Sequence, residues 1–397
     1  MLKGKNILLG VTGGIAAYKA VALVSALKKR EANVKVIMTK SACEFVTPLT
    51  FQTMSNNTVH TEMFNQLNNM DVEHISLAKW ADIFVIAPAS ANTIGKMSNG
   101  IADNMLTTVY MASRCKVIVA PAMNTYMLNH PANLNNIQKL KSYGVRVLRT
   151  QEDLLACGDV GSGKMLEPQD ILEEIDYELT EKDLLGKKVV ITSGPTIEKI
   201  DPVRYLSNHS SGKMGYALAK NAHNRGAEVV LISGPTSLKV PEVSKFVRIE
   251  STLDMFKAVE DEFDTLDVLI KAAAPADYRP EKYSEEKIKK DAKDDLEKIE
   301  LVHNPDIAKH FGQLKNNQIL VGFAAESQNE IEYGLGKLKK KNLDLIVVNN
   351  IKREGAGFKS DTNIASIIDA NESVENLAIM SKESLAEEIL NRVVGLL

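Results

Sequence analysis

Residues 5–39, KNILLGVTGGIAAYKAVALVSALKKREANVKVIMT, decide the fold. ILLGV is a short continuous apolar run, Gly13-Gly14 a turn, and IAAYKAVALVSALKK an apolar-rich helix of about four turns. NVKVIMT (33–39) is a second apolar run. A strand that is apolar at successive positions has no face to give to water, so strand, loop, helix and strand predict a parallel sheet covered on both sides. The pattern returns at ADIFVIA (81–87), KVIVA (116–120) and GVRVL (144–148). It breaks at PQDILEEIDYELTEKDLLG (168–186), a charge-studded helix and connector, which places a domain boundary near Glu181. The second half restarts with KKVVITSGPT and GYALAKNAHNRGAEVVLISGPT, so Ser-Gly-Pro-Thr closes two successive strands, at 193–196 and 233–236. Such a βαβ repeat predicts a second doubly wound sheet. Further strands are expected at DVLIKAAA (267–274), QILVGFAAE (318–326), DLIVVNN (344–350) and NIASIID (363–369). The expected class is α/β with two doubly wound domains, 1–180 and 181–397.

Composition removes whole classes of function. Among 397 residues, 48 Lys and Arg face 51 Asp and Glu, a net charge of -3, so there is no global basic field for nucleic acid. Cys43, Cys115 and Cys157 are far apart and form no C-x-x-C, which supports neither a disulfide framework nor a thiolate zinc cluster and points to a reducing cytoplasm. No 18-residue apolar stretch occurs and the start lacks a small-residue cleavage site, so neither a membrane span nor a signal peptide is expected.

In open parallel sheets ligands bind beyond the carboxyl ends of the strands, so the residues directly after each apolar run carry the information. After the first comes VTGGIAAYK, where Gly13, Gly14 and Ile15 lead into a helix N-terminus suited to a phosphate. It is not G-x-G-x-x-G. Thr39, Lys40 and Ser41 follow the second run, and PASANT (88–93, with Ser90 and Asn92) and PAMN (121–124) follow the next two. Any single loop is equally well read as turn chemistry. Four on one edge favour a flavin-type mononucleotide, whose ribityl chain takes hydroxyl and amide partners.

His74, in DVEHISLAKWAD, shares a helical face with Leu77, Ala78 and Ala81, a pattern more common for a core histidine than for a catalytic one. Cys157 lies in LLACGDVGSGKMLEP, where Gly158, Gly161 and Gly163 suggest a loop mobile enough to close over a site. Gly158 to Lys164 fits G-x-x-x-x-G-K, but Met165 stands where a phosphate loop needs Ser or Thr, so that reading is rejected. In the second half, Arg204, Asn208, Ser210, Ser211 and Lys213 precede an apolar helix and suit an anion as well as an ordinary serine-rich cap. Asp277, in KAAAPADYRP, suits a base or ribose, while KIKK (287–290) and the pair Lys337 and Lys341 suit phosphates or form a solvated face. Residues 281–300 carry fourteen charges in twenty positions, the composition of a mobile surface segment.

In chain order the motifs are VTGGIAAYK, EHISLAKWAD, PASANT, PAMN, ACGDVGSGKMLEP, DPVRYLSNHSSGKMG, APADYRP, KIKK, HNPDI, GFAAE and KKNLDLIVVNN. From about Lys5 to its end the chain resembles the bifunctional coenzyme A biosynthesis family, in which phosphopantothenoylcysteine decarboxylase is fused to phosphopantothenate–cysteine ligase. The resemblance implies an N-terminal flavoprotein domain of the flavin-dependent cysteine decarboxylase type and a C-terminal Rossmann-like ligase domain. It implies FMN held by Gly13, Gly14, Ile15, Thr39, Ser41, Ser90 and Asn92. It makes His74 an active-site base, Asn124 a partner of the substrate carboxylate and Cys157 a proton donor. It implies CTP as co-substrate with Mg2+, contacted by Ala273, Asp277, Pro305, Asp306, Ile307, Phe323, Lys337 and Lys341. Asn208 would serve an acyl-cytidylate with Arg204 nearby, and Lys287 would open the lysine-rich motif of a flap at 281–300. The substrates implied are 4′-phosphopantothenate, cysteine and 4′-phosphopantothenoylcysteine, in a homo-oligomer. Leu128, where the family often has Trp, and Lys164, where it commonly has Arg, are departures that leave every implied reacting group in place. Two rivals remain: an FMN-binding regulatory protein without catalysis, and a nicotinamide oxidoreductase, against which the missing G-x-G-x-x-G weighs.

Overall fold

The computed structural model describes residues 2–63, 72–154, 160–288, 299–326, 328–350 and 360–397, and the chain divides into two compact units, Met1–Thr180 and Glu181–Leu397. In the first unit, β1 (Asn6–Val11), β2 (Asn33–Met38), β3 (Val59–His60), β4 (Ile83–Ala89), β5 (Lys116–Pro121) and β6 (Arg146–Val147) form one sheet in the order β3-β2-β1-β4-β5-β6. Every pairing is parallel. Alternate residues of β1 divide between the faces. Ile7, Leu9 and Val11 pack with α1 (Ala17–Lys29) and α9 (Pro168–Leu179), whereas Leu8 packs with residues of α4 (Glu73–Trp80), α5 (Ala91–Ser98), α6 (Met105–Ala112) and α8 (Pro131–Ser142). Both faces are therefore covered, as an all-apolar strand requires.

Three shorter helices stand among these: α2 (Lys40–Cys43), α3 (Pro48–Ser55) and α7 (Thr125–Asn129). Beyond β6, β7 (Gln151–Leu154) and β8 (Val160–Lys164) form a separate antiparallel ribbon.

The second unit has a mixed eight-stranded sheet. Its strands are β9 (Lys188–Ser193), β12 (Glu228–Ser233), β13 (Lys245–Arg248), β14 (Val268–Lys271), β17 (Ile319–Glu326), β18 (Leu345–Asn350), β20 (Ala365–Asp369) and β21 (Val374–Asn376), in the order β13-β12-β9-β14-β17-β18-β20-β21. The first six are parallel and doubly wound, while β20 and β21 add antiparallel at one edge. The run NIASIID is thus a strand as expected, but its direction differs from the rest. Val189 and Ile191 of β9 pack with α10 (Lys213–Asn224) and α14 (Lys382–Val394); Val190 packs with α11 (Thr252–Phe263), α12 (Ile307–Leu314) and α13 (Glu330–Lys340).

Three antiparallel pairs lie outside the sheet: β10 (Ile197–Lys199) with β11 (Tyr205–Ser207), β15 (Tyr278–Pro280) with β16 (Leu301–His303), and β19 (Thr362–Asn363) with β22 (Met380–Ser381). The two Ser-Gly-Pro-Thr turns meet, since the Gly234 N–H donates to the Ser193 carbonyl at 3.1 Å. Among the described residues no helix is long and apolar enough to cross a membrane.

Candidate functional site

In the first unit, hydrogen bonds and one steric contact join the loops after β1, β2, β4 and β5. Thr12, buried at the end of the β1 segment, donates its hydroxyl to the Pro88 carbonyl at 2.8 Å and accepts from the Ser90 N–H at 2.9 Å. The Thr39 N–H donates to the Val11 carbonyl at 3.0 Å, and the Ala122 N–H to the Ala89 carbonyl at 3.0 Å. A Cβ on Gly13 would lie 2.4 Å from the Ser41 Cβ, so only glycine lets the two loops approach this closely. Gly13, Thr39, Ser41 and Ser90, far apart in sequence, thus come together at one edge. Thr12 is the member the sequence reading missed, because its role is to pair with backbone groups 76 and 78 residues away.

Three helices at this edge start with side-chain caps. Thr39 accepts from the Ala42 N–H, Ser90 from the Thr93 N–H and Asn124 from the Tyr126 N–H. The α1 start differs: it has no side-chain cap, and the N–H groups of Gly13, Gly14, Ile15 and Ala16 have no partner among the described residues. A Cβ on Gly14 would meet nothing within 4 Å. Unpaired donors, open space and a helix N-terminus suit a phosphate, so these residues fit the phosphate end of a flavin mononucleotide. Ile15 is exposed here, as is Asn92.

The Gly-rich segment at 158–164 is not a free loop over its described part. Gly161 and Gly163 belong to β8, and the Gly163 carbonyl accepts from the Met123 N–H at 3.1 Å. Gly163 has φ +132°, and a Cβ there would stand 2.2 Å from the Met123 carbonyl oxygen. The Thr125 hydroxyl donates to the Ser162 carbonyl at 2.6 Å. Gly161 and Gly163 therefore permit close packing on the PAMN loop. Lys19, buried in α1, ties the segment after β8 to that helix through Glu167 at 2.7 Å and the Met165 carbonyl at 3.4 Å. Cys157 and Gly158 lie outside the described residues.

A cavity of about 470 Å³ opens beside PASANT and PAMN, lined by residues that include Asn92, Tyr126, Met127, His130, Asn133 and Asn136. The Asn133 side chain is buried; its amide donates to the Leu128 carbonyl at 3.1 Å, and its Oδ1 has no partner among the described residues. Leu128 packs partly buried against the core. His74 occupies the first turn of α4. That helix connects the parallel strands β3 and β4, so it runs back across the sheet and begins at the carboxyl edge. No hydrogen bond joins His74 to the four loops among the described residues.

In the second unit the central feature is Lys271, the last residue of β14, which the sequence reading passed over although it directly follows an apolar run. Burial, with the charges of Lys341 and Lys337, lowers its ammonium from an ordinary 10.5 to about 8, against the opposing pull of Asp306 and Asp277. Four of the expected nucleotide residues therefore lie within electrostatic reach of one side chain. Lys341 pairs with Asp306 at 2.9 Å and Lys337 with Glu326 at 2.6 Å. Asp306 caps α12 by accepting from the Lys309 N–H. Burial raises its carboxyl, but the bonds from Lys341 and Lys309 outweigh that and hold it below its usual range.

The backbone after Lys271 is fixed at each step. The Ala273 N–H donates to the Thr192 hydroxyl, the Ala274 N–H to the Gly194 carbonyl and the Ala276 N–H to the Thr196 hydroxyl. Asn208 donates from its amide to the Ala274 and Pro275 carbonyls, both at 3.1 Å, so it lies against the Ala273–Asp277 loop. Asn304, beside Pro305, donates to the Ala276 carbonyl at 2.9 Å and brings HNPDI to the same loop.

Three further expected residues have other surroundings. Phe323 follows Gly322, the β17 partner of Lys271, and packs partly buried against the core, whereas Lys287 is exposed. Arg204 is turned to Asp201 and the Ile288 carbonyl. Residues 289–298, half of the expected flap, are not among the described residues. Among those described, no three His, Cys, Asp or Glu side chains gather to hold a metal.

A flavoprotein family model matches residues 1–180, and one described as the C-terminal domain of the DNA/pantothenate metabolism flavoprotein matches residues 184–396. A coenzyme A biosynthesis bifunctional protein of Bacillus subtilis is 49% identical over 400 residues, covering 100% of this chain and 98% of that protein. One of the same description from Vibrio cholerae is 43% identical over 393 residues, covering 99% and 98%. Among solved structures, the C-terminal domain of a coenzyme A biosynthesis bifunctional protein is 42% identical, with a TM-score of 0.47, and covers 54% of this chain and 97% of that one.

Proposed function

The chain belongs to the family of bifunctional coenzyme A biosynthesis proteins, and from that premise we propose how its two domains divide the work. It is an enzyme of two consecutive steps: cysteine is joined to 4′-phosphopantothenate, and the resulting 4′-phosphopantothenoylcysteine is decarboxylated to 4′-phosphopantetheine. Residues 1–180 carry the decarboxylation and 181–397 the ligation. The observation that carries this reading is the end-to-end match to proteins holding both domains in one chain.

In the first domain Gly13, Gly14 and Ile15 hold the phosphate of FMN, with Thr39, Ser41, Ser90 and Asn92 along the ribityl chain. When bound there, the flavin would supply the electron sink that decarboxylation of a cysteine carboxylate requires. Asn124 binds the substrate carboxylate, His74 removes a proton and Cys157 delivers one to the product. The cavity beside Asn92 and Asn133 takes the substrate's pantothenoyl arm, with the Asn133 Oδ1 accepting from one of its hydroxyl or amide groups.

In the second domain the 4′-phosphopantothenate carboxylate attacks the α-phosphorus of CTP and pyrophosphate leaves. The cysteine amine then attacks the acyl carbon, CMP leaves and a proton is released. Asn208 serves the acyl-cytidylate from its place on the Ala273–Asp277 loop. Lys271, Lys337 and Lys341 neutralise the phosphates, and Pro305, Asp306, Ile307 and Phe323 complete the nucleotide site. The cationic Lys287 assists from the lysine-rich segment. A cytoplasmic homo-oligomer accompanies this reading.

The test is mass spectrometry of products formed from 4′-phosphopantothenate, cysteine, Mg2+ and CTP, beside a control without CTP. CTP-dependent 4′-phosphopantetheine is the expected result. His74→Asn should instead accumulate 4′-phosphopantothenoylcysteine, with decarboxylation lowered by ~10²–10⁴-fold for loss of a general base. A variant that decarboxylates normally would remove His74 from the mechanism, and no CTP-dependent product from the native protein would overturn the ligase reading.

A further inference from the structure

Asp201 lies in the turn between β10 and β11, and its side chain is fully buried although it is charged. One oxygen, Oδ1, accepts from the backbone N–H groups of Val203 and Arg204, each at 2.8 Å. The other accepts from Arg204 Nε at 2.9 Å and Nη2 at 2.5 Å, and from the Ile288 N–H at 3.3 Å. The Arg204 Nη2 also donates to the Ile288 carbonyl at 2.8 Å. One ion pair therefore grips the two backbone groups of a single residue 84 to 87 positions along the chain. The neighbouring Ser284 N–H donates to the Ile200 carbonyl at 3.0 Å, a second fixed point on the same segment. Five donors on one carboxylate far exceed what a surface turn requires, and burial without them would be costly. The bonds from Arg204 hold the Asp201 carboxyl far below the usual range, and the backbone N–H groups of Val203, Arg204 and Ile288 add to this against the opposing effect of burial, so the clamp is charged at every working pH.

Ile288 follows Lys287, the first lysine of KIKK, whose side chain is exposed. We propose that Asp201 and Arg204 are positioning residues of the ligase: together they clamp the backbone at Ile288 and so set where Lys287 presents its ammonium to the phosphates of the nucleotide. This rests on the ligase reading given above. Arg204 then acts through Lys287, with its Nε and Nη2 donors turned to Asp201 and the Ile288 carbonyl, which differs from a direct contact of these donors with the acyl-cytidylate.

The test combines a kinetic cycle with a cleavage measurement that needs no ligase activity. In the full-length protein, D201N should lower kcat/KM for CTP-dependent ligation by ~10–100-fold, the scale of a lost hydrogen-bond set to a charged group. Decarboxylation of supplied 4′-phosphopantothenoylcysteine should not change. In a K287Q background the same D201N change should cost less than ~3-fold, because a clamp with no lysine to place has nothing left to deliver. Trypsin should cut the Lys287–Ile288 bond faster in D201N than in the native chain, scored by mass spectrometry of the two new ends. Additive losses in the cycle, or an unchanged cleavage rate, overturn the proposal. Faster cleavage in D201N beside a native protein that performs no CTP-dependent ligation would instead reject the ligase reading and leave the clamp standing. Should D201N fail to fold, R204K replaces it in both arms, since a lysine cannot hold both Asp201 and the Ile288 carbonyl with a planar fork.

Discussion

Gly13→Ala should produce a protein that is isolated without bound flavin and forms no 4′-phosphopantetheine, while its CTP-dependent ligation continues. The added Cβ would stand 2.4 Å from the Ser41 Cβ and 3.0 Å from the Ser41 carbonyl carbon and oxygen. Neither contact is the end of a flexible side chain, so one loop must retreat. Overpacking of this kind costs ~1–3 kcal/mol, less than the several kcal/mol of a whole domain's stability. The damage falls on the site rather than on the fold, because the retreating groups are the unpaired N–H donors at the start of α1 and the hydroxyl-bearing loop opposite. Gly14→Ala is the matched control, since its Cβ meets no protein atom within 4 Å and the apo fold should be unaffected. Flavin absorbance of the purified proteins, with activity in the same preparations, decides the matter. Full flavin content in Gly13→Ala would mean that the close approach of the two loops is not what shapes the phosphate site.

The second large effect concerns Lys271. Its ammonium titrates near pH 8 in the folded chain against an ordinary 10.5, so it is charged at neutral pH and loses that charge as pH rises through about 8. Affinity for a nucleotide triphosphate should fall across the same range. Lys271→Gln should raise KM for CTP by ~10–100-fold at pH 7, the scale of a charge-assisted bond, and the two proteins should converge above about pH 9, where the native lysine is mostly neutral. The stability consequence has the opposite sign. A lysine whose folded value is depressed costs stability while it is protonated in both states, and that cost is relieved between about pH 8 and 10.5 as the folded form deprotonates first. Lys271→Met should therefore raise Tm at pH 7 and flatten its rise with pH. A Lys271→Gln protein whose KM tracks the native value at every pH would exclude the side chain from the phosphate site.

How much of this could be read beforehand follows the range of the interactions. The central strands of both sheets were legible because an apolar run bounded by turn residues needs no knowledge of its neighbours, and the loop positions at their carboxyl ends followed from topology. Gly13, Ser41 and Ser90 were found on that rule. The β7–β8 ribbon was not, because VGSGK has neither apolar alternation nor β-branched density, and its stability derives from packing on Met123 and Thr125. The antiparallel direction of β20 was invisible because an apolar run carries no sign. Asp201 reads locally as an aspartate before proline, an ordinary turn signal; only the fold brings Ile288 to it. Arg204 was expected near an acyl-cytidylate, and its partners Asp201 and Ile288 were not foreseeable from its neighbours in sequence.

The stitched loops around Thr12 have a kinetic meaning as well as a geometric one. Where folding has already joined the walls of a site to one another, the entropy of ordering them is lost before any ligand arrives, and little remains to be lost on binding. Such preorganisation lengthens residence, since the ligand cannot leave by relaxing one loop at a time; several ties must open together. A flavin held in this edge should exchange slowly with free flavin and act as a resident group through many turnovers, whereas nucleotide and cysteine must come and go with every cycle of the other domain.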